Sequence, residues 1–371
     1  MDISFLQEAI RKRADQGLFR SFAGQGKGID FCSNDYLGLS QLQPHTLTHF
    51  YGLGSGASRL ISGNHVLAEE TEAWVAEQFG AESALWYGSG YLANLGLFSC
   101  LAGRGDTYLY DEFIHASIRE GLRLSHAHAY SFRHNDVEAL RQKASVVRGR
   151  VFVVLESVYS MDGDTPPLEA IVHLCRELGW YLIVDEAHGL GVFGSRGCGH
   201  TFGQAWNDVL LARVLTFGKA AGFHGAMVLG PAVLKEYLTQ FSRPLIYTTA
   251  SGQSDFAMLR FKLEKLLMAE AERSSLLQNI EHFIRSSAQT PLALMPSVSP
   301  IQSVLCNGNE AAVKLAELLC AEGFEVRPVR SPTVPKGTER IRIILHSFNT
   351  KEQVGDLVSV LSRNEAFMKI S

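Results

Sequence analysis

The chain has 371 residues, enough for two domains with a core each, or one large and one small. Its net charge of -4 gives no electrostatic footprint for nucleic acid or an anionic membrane surface. No apolar run approaches membrane-spanning length, and Asp2 and Glu8 stand where a signal peptide would need an apolar core, so a cytoplasmic protein is expected.

Residues 1 to about 22 carry Phe5, Leu6 and Ile10 at helical spacing, with Glu8 and Arg11-Lys12-Arg13 on the other side. That pattern predicts a short amphipathic helix packed on the body. Gly24 to Gly28 reads as a turn or flexible connection, and Ile29 to Cys32 as a short strand. The segment from Gly52 to His65 is rich in glycine and hydroxyls, which fits a phosphate loop or a linker equally well. A helix follows with Leu67, Trp74, Val75 and Phe79 inward and Gly80 as its stop. Ser83 to Tyr87 reads as a strand, Gly88-Ser89-Gly90 as a turn and Tyr91 to Leu101 as a helix. A strand, a small-residue turn and a helix N-terminus together make an anion site from free backbone N–H groups.

From residue 104 strands and helices alternate. Thr107 to Tyr110 is a strand running out at Asp111, with His115-Ala116-Ser117 beyond it. Val151 to Leu155 is continuously apolar, as strands buried on both faces are. Leu168 to Leu178 is an amphipathic helix closed by Gly179, and Tyr181 to Val184 is the next strand. This βαβ unit predicts an α/β fold with a mostly parallel sheet, helices on both faces and right-handed connections. After residue 240 come two long helical patterns, about 251 to 270 and 273 to 287. Strands at Gln302 to Leu305, Glu325 to Val329 and Arg340 to Leu345, around a helix at Glu310 to Glu322, then predict a smaller α+β domain. The expected division is 1–39 as a helical segment and short strand, 40–268 as the large domain and 269–371 as the small one.

Two strand ends carry the chemistry. Tyr181 to Val184 runs into Asp185-Glu186-Ala187-His188-Gly189, and the strand from Val209 to Val214 runs into Thr216-Phe217-Gly218-Lys219-Ala220. Ligands of open α/β sheets bind beyond the carboxyl ends of strands. A lysine among small residues there suits a Schiff-base nucleophile, and pyridoxal phosphate needs such a lysine together with a carboxylate for its ring nitrogen. The letters Asp185-Glu186-Ala187-His188 also spell a helicase box. That reading requires a GxxxxGK[ST] loop, and here Gly218-Lys219 is followed by alanine and Gly26-Lys27 by glycine. His126 with His128 and Cys198 with His200 lack a second pair at zinc spacing, so no metal is expected. The six cysteines form no CxxC pair and read as reduced thiols.

In order along the chain stand Ser33-Asn34-Asp35-Tyr36-Leu37-Gly38-Leu39, Ser58-Arg59-Leu60-Ile61-Ser62-Gly63 and Ser89-Gly90-Tyr91. Asp111 with His115-Ala116-Ser117, Glu156 to Asp164, Asp185 to Gly189, Thr216 to Ala220 and Arg330 to Pro335 follow. With these blocks the chain resembles the α-oxoamine synthases, a fold-type-I family of pyridoxal-phosphate transferases. The resemblance implies that Lys219 holds the cofactor as a Schiff base and then acts as base on the amino-acid Cα. It implies Asp185 at the ring nitrogen, His188 and Ser157 beside the phenolic oxygen, and His115 stacked on the ring as a candidate proton donor. Ser89, Gly90, Tyr91 and Thr216 would hold the phosphate, and Asn34, Arg330 and Thr333 the substrate. The implied reaction is a decarboxylative condensation of L-alanine with a pimeloyl thioester of CoA or a carrier protein. Glycine or serine with another acyl thioester is the sister alternative, and a non-catalytic partner subunit would be marked by loss of the lysine. The family also implies a homodimer sharing its active sites, with the loop near 54 to 63 serving the neighbour. Leu215 and Gly218 depart from the family, which often has glycine and serine there.

Overall fold

The computed structural model describes residues 1–16, 18–20, 22, 26, 28–44 and 52–369. Of the predicted turn at Gly24 to Gly28, Gly24, Gln25 and Lys27 lie outside the described residues.

A seven-stranded sheet runs, in spatial order, Ser83–Tyr87, Ala226–Gly230, Leu210–Thr216, Tyr181–Asp185, Val151–Glu156, Thr107–Asp111 and His128–Phe132. Only Ala226–Gly230 runs against the others. Period-two alternation explains how it is buried on both faces. Phe152 and Val154 pack with Ile118, Leu97 and Leu238 of the helices on one side. Val153 and Leu155 pack with Ile171, Val172 and Cys175 of helix Leu168–Leu178 on the other. Parallel strands end on one edge, so Gly88, Asp111, Glu156, Asp185 and Thr216 all emerge there.

The predicted strand from Glu325 to Val329 divides. Phe324–Glu325 pairs in parallel with Ile29–Asp30, and Arg327–Val329 pairs with Arg340–Ile344, which in turn pairs with Ile301–Leu305. Buried Val326 lies at the break, where the chain changes partners. Two strands escape the sequence reading. His128–Phe132 is a polar, largely exposed edge strand, and Ala226–Gly230 turns back antiparallel straight after the Lys219 loop.

The N-terminal helix is real, spanning Ser4–Asp15, yet it buries no residue. Phe5, Leu6 and Ile10 stand exposed. The expectation that this helix packs on the body is therefore corrected. Its periodicity made the helix visible but does not say what covers the stripe.

Candidate active site

At the carboxyl edge of the sheet lies a cavity of ≈ 320 Å³. Lys219 enters it one turn past strand Leu210–Thr216. The loop carrying it is tied by Phe217 N–H to Gly225 O at 2.9 Å and Gly222 N–H to Lys219 O at 2.8 Å. Gly222 has φ +61°, and a Cβ there would fall 2.2 Å from Ser40 N, so this turn requires glycine. Burial holds the Lys219 amine below the usual lysine value, against the opposing charges of Asp185 and Glu156. Leu215 is fully buried in the core, and a Cβ at Gly218 would meet nothing nearer than Phe223 O at 3.8 Å. Neither departure from the family pattern disturbs the lysine.

Asp185 is buried at the end of its strand. Its Oδ2 accepts from Asn94 Nδ2 at 2.8 Å and its Oδ1 from the Ala187 N–H at 2.9 Å. His188, two residues beyond Glu186, shares a 2.6 Å hydrogen bond between Nδ1 and Tyr36 Oη. Burial, then the charges of Lys219 and Arg342, push its imidazole well below the usual histidine value, so it is neutral. His115 caps helix Ala116–Leu124. Its Nδ1 accepts from the Ser117 N–H at 3.2 Å, with Ser117 Oγ at 2.7 Å, which leaves Nε2 to carry the proton of the neutral ring. Ser117 Oγ in turn accepts from Asn94 Nδ2 at 3.0 Å, so one amide serves both Asp185 and the His115 cap. Glu156 accepts the His115 backbone N–H, and burial with the nearby Asp185 charge raises its carboxyl to about 8.

The opposite wall is the N-terminus of helix Gly90–Cys100, capped by Ser89 Oγ, which accepts from Leu92 N–H at 3.2 Å. A Cβ on Gly90 would come 2.6 Å from Thr216 Cγ2, so glycine lets the helix start meet the strand end. Thr216 Oγ1 is buried there with no partner among the described residues. A buried hydroxyl left unpaired beside free helix N–H groups fits an anion such as a cofactor phosphate. A lysine amine and a carboxylate on the facing strand ends fit the rest of a pyridoxal group.

Comparison with known proteins agrees with that chemistry. The model of the aminotransferase class I and II family matches residues 26–361. The chain belongs to this family. An 8-amino-7-oxononanoate synthase from Alkalilimnicola ehrlichii is 37% identical over 382 residues, covering 96% of this chain and 97% of that protein. One from Pseudomonas putida is 38% identical over 342 residues, covering 90% and 87%. Among solved structures, serine palmitoyltransferase from S. paucimobilis with bound PLP–myriocin aldimine superposes with a TM-score of 0.88 at 27% identity, covering 99% of each chain. The 8-amino-7-oxononanoate synthase from Francisella tularensis gives 0.79 at 31%, covering 91% and 98%.

For a class I and II aminotransferase relative, the predicted residues gather well. Lys219, Asp185, His188, His115, Ser89, Gly90, Tyr91, Thr216 and Asn34 all line the one cavity. Three do not. Ser157 is fully buried and its hydroxyl donates to Glu186 Oε2 at 2.6 Å, away from the cavity. Thr333 lines a neighbouring cavity. Arg330 is in neither lining. The arginine at Asn34 is Arg342, whose Nη2 donates to Asn34 Oδ1 at 3.1 Å and whose Nε donates to Ser160 O at 2.8 Å. Sequence reasoning also passed over Tyr36, Asn94 and Glu156. Two had a signal: Asn94 is a lone amide inside an apolar helix, and Glu156 a lone acid closing an apolar strand. A third polar cluster, His134, Asp162 and Asp164, brings its ligand atoms within 4.8 Å of one another. Each of those groups has a protein partner: Arg340 binds Asp162, and His134 bridges Asp111 and Asp164.

Proposed function

We propose that this chain is an 8-amino-7-oxononanoate synthase of biotin biosynthesis, condensing L-alanine with a pimeloyl thioester and releasing CO2 and the free thiol. The observation that carries the reading is one cavity holding a lysine amine, a buried carboxylate, a neutral histidine pair and an unpaired threonine hydroxyl. Curated relatives of that name, at 37–38% identity along most of the chain, support the choice of reaction.

Pyridoxal phosphate, when bound, supplies an aldehyde carbon for an amine and a ring that accepts the electron pair released at an amino-acid α-carbon. In this reading Lys219 holds the group. Its lowered pKa enlarges the neutral fraction that attacks carbonyl carbon and later takes the α-proton. Asp185, fixed by Asn94 and the Ala187 N–H, places a carboxylate for the ring nitrogen. His188 and Tyr36 stand for the phenolic oxygen, replacing Ser157 in that role. Thr216 Oγ1, Ser89 and the N–H groups of Gly90 and Tyr91 hold the phosphate. Arg342 with Asn34 grips the amino-acid carboxylate: the bonds of Nε to Ser160 O and of Nη2 to Asn34 Oδ1 fix the plane of the guanidinium and leave its remaining N–H donors for the carboxylate. Neutral His115, with its proton on Nε2, can donate to the thioester carbonyl oxygen but cannot accept through Nδ1.

We also infer a homodimer with shared sites. Exposed Leu53 and Ile61 of the glycine-rich segment and the unburied helix Ser4–Asp15 support it, as apolar surface of this extent suits a second copy. All six cysteines are free, which supports a cytoplasmic place, and no described helix is long and apolar enough to cross a membrane. Serine as donor is the second reading, favoured by the higher TM-score of the serine palmitoyltransferase.

The test is an absorption spectrum of the purified protein with pyridoxal phosphate, taken between about 300 and 550 nm as aldimine absorption requires. A visible band that L-alanine shifts, absent in Lys219→Ala, is expected, followed by the nine-carbon amino ketone when pimeloyl-CoA is added. A band responding to L-serine alone moves the protein to the second reading, and no band sinks both.

A further inference from the structure

A second cavity, of ≈ 380 Å³, adjoins the first, and His115 lines both. Phe113, Ile114, Met161, Val334 and Pro335 give it a mostly apolar wall. Two arginines reach it. Arg340 is engaged by Asp162 in a buried ion pair. Arg119 pairs with no carboxylate among the described residues: it donates to the Glu112 backbone carbonyl, and its guanidinium carbon lies 5.5 Å from the centre of the Tyr110 ring. The Glu112 carboxylate, which also lines the cavity, accepts from His134 N–H at 3.0 Å. Of the neighbouring arginines, Arg123 pairs with Glu120 and Arg133 with Asp136, both at the surface. Arg119 alone of these three carries its charge into an apolar chamber.

We propose that this chamber receives the acyl chain, and that Arg119 binds the carboxylate at its far end, so the enzyme selects a dicarboxylic acyl thioester over a monocarboxylic one. The inference rests on the condensation reading above. Arg119 lies one turn beyond His115 on the same helix, about 6 Å along its axis, plus the reach of its side chain. Six carbon–carbon bonds of about 1.5 Å give a pimeloyl chain a contour of about 9 Å from its thioester carbon, whereas a four-carbon chain, about 4.5 Å, stops short. With its carbonyl at His115, the longer chain brings its terminal carboxylate to the guanidinium across the apolar wall. The Glu112 carbonyl and the Tyr110 ring hold that fork in place before binding, so little side-chain freedom is lost on capture.

The experiment compares pimeloyl-CoA with heptanoyl-CoA, which has the same length and carrier but ends in a methyl group. Steady-state kcat/KM is measured with L-alanine for the wild type, Arg119→Leu, Arg119→Lys and Arg123→Leu. The wild type is expected to prefer pimeloyl-CoA by at least about tenfold, as a charge-assisted pair in an apolar site allows. Arg119→Leu should erase that preference while keeping heptanoyl-CoA turnover within about twofold, which also shows the variant is folded. Arg119→Lys should restore part of it, and Arg123→Leu should leave it intact. An unchanged preference in Arg119→Leu, or no preference in the wild type, overturns the inference and leaves the condensation standing. An equal loss with both thioesters assigns Arg119 to the carrier and also overturns it. A wild type that condenses alanine with neither overturns the function beneath it.

Discussion

Replacing Arg342 and Arg330 in turn separates two readings of the substrate carboxylate. Arg342 presents Nε to Ser160 O at 2.8 Å and Nη2 to Asn34 Oδ1 at 3.1 Å, which fixes the plane of its fork and leaves further N–H donors. Burial lowers its pKa from the ordinary arginine value, the mark of a charge held in an apolar setting where a carboxylate partner counts for more. A charge-assisted pair of this kind contributes about 2–3 kcal/mol. At 1.4 kcal/mol per tenfold, Arg342→Leu should raise KM for L-alanine by roughly 30- to 150-fold. Arg342→Lys keeps the charge, loses the fork, and should fall between. Neither arginine is in the cavity lining, but Arg342 is bonded to Asn34, which is, so Arg330→Leu should change KM for alanine less than about threefold. Steady-state kinetics at saturating thioester, with a thermal melt of each variant to confirm folding, reads the difference. If Arg330→Leu raised the alanine KM and Arg342→Leu left it unchanged, the geometric assignment would be wrong.

Thr216→Val should leave the cofactor-free protein as stable or slightly more so, since the buried Oγ1 has no partner to lose among the described residues, yet weaken pyridoxal phosphate about tenfold in an absorbance titration. Ser157→Ala should do the reverse, costing about 1–3 kcal/mol in a urea melt because Glu186 Oε2 loses a 2.6 Å donor, with cofactor affinity within about twofold. His134 gives a pH prediction. Burial alone would lower its pKa, but the hydrogen bonds and charges of Asp111 and Asp164 raise it to about 9 from the ordinary 6.5. Its contribution is complete below pH 6.5 and lost as pH rises to about 9, on the order of 3 kcal/mol. Urea melts at pH 6 and pH 9.5 should show that loss, and His134→Gln should flatten it; an equal slope in both proteins contradicts the ion-pair origin.

Most of the sheet was legible because parallel strands buried on both faces must be apolar throughout, and the first charged residue after such a run marks its end. Asp111 and Asp185 follow from that rule, whereas the strand before Lys219 already carries buried Arg213; the edge the three share follows from the strands being parallel. His128–Phe132 was not legible for the complementary reason: an edge strand with exposed positions has no such pressure on its composition, and His128, paired with His126, resembles a ligand more than a strand start. Ala226–Gly230 is apolar enough, but nothing in its letters says which way it runs. The helix Ser4–Asp15 shows the limit of periodicity, which declares an apolar face and is silent on its cover.

The residues that were misplaced share a cause, which is that a loop's rotation is decided by what it packs against. Ser157 follows its strand as directly as Lys219 follows another, yet its hydroxyl turns inward because the fully buried Glu186 gathers donors from Ser157, His200 and Thr201. An unsatisfied buried carboxylate costs more than a cavity-facing hydroxyl gains, so the acid decides the orientation. Arg330 was implied by the resemblance, through the block Arg330 to Pro335. Arg342 sits in strand Arg340–Ile344 of the other sheet and meets Asn34 only because Ile29–Asp30 is stitched to Phe324–Glu325 and brings that N-terminal segment across. The same logic makes Asn94 the joint of the site: a buried amide on an apolar helix, it donates at once to Asp185 Oδ2 and to Ser117 Oγ beneath His115. A change in how Asp185 sits is therefore transmitted to the histidine that faces both cavities. Local sequence rules locate groups at strand ends, whereas such a joint exists only once the segments beyond strands Thr107–Asp111 and Tyr181–Asp185 have been brought within one amide's reach.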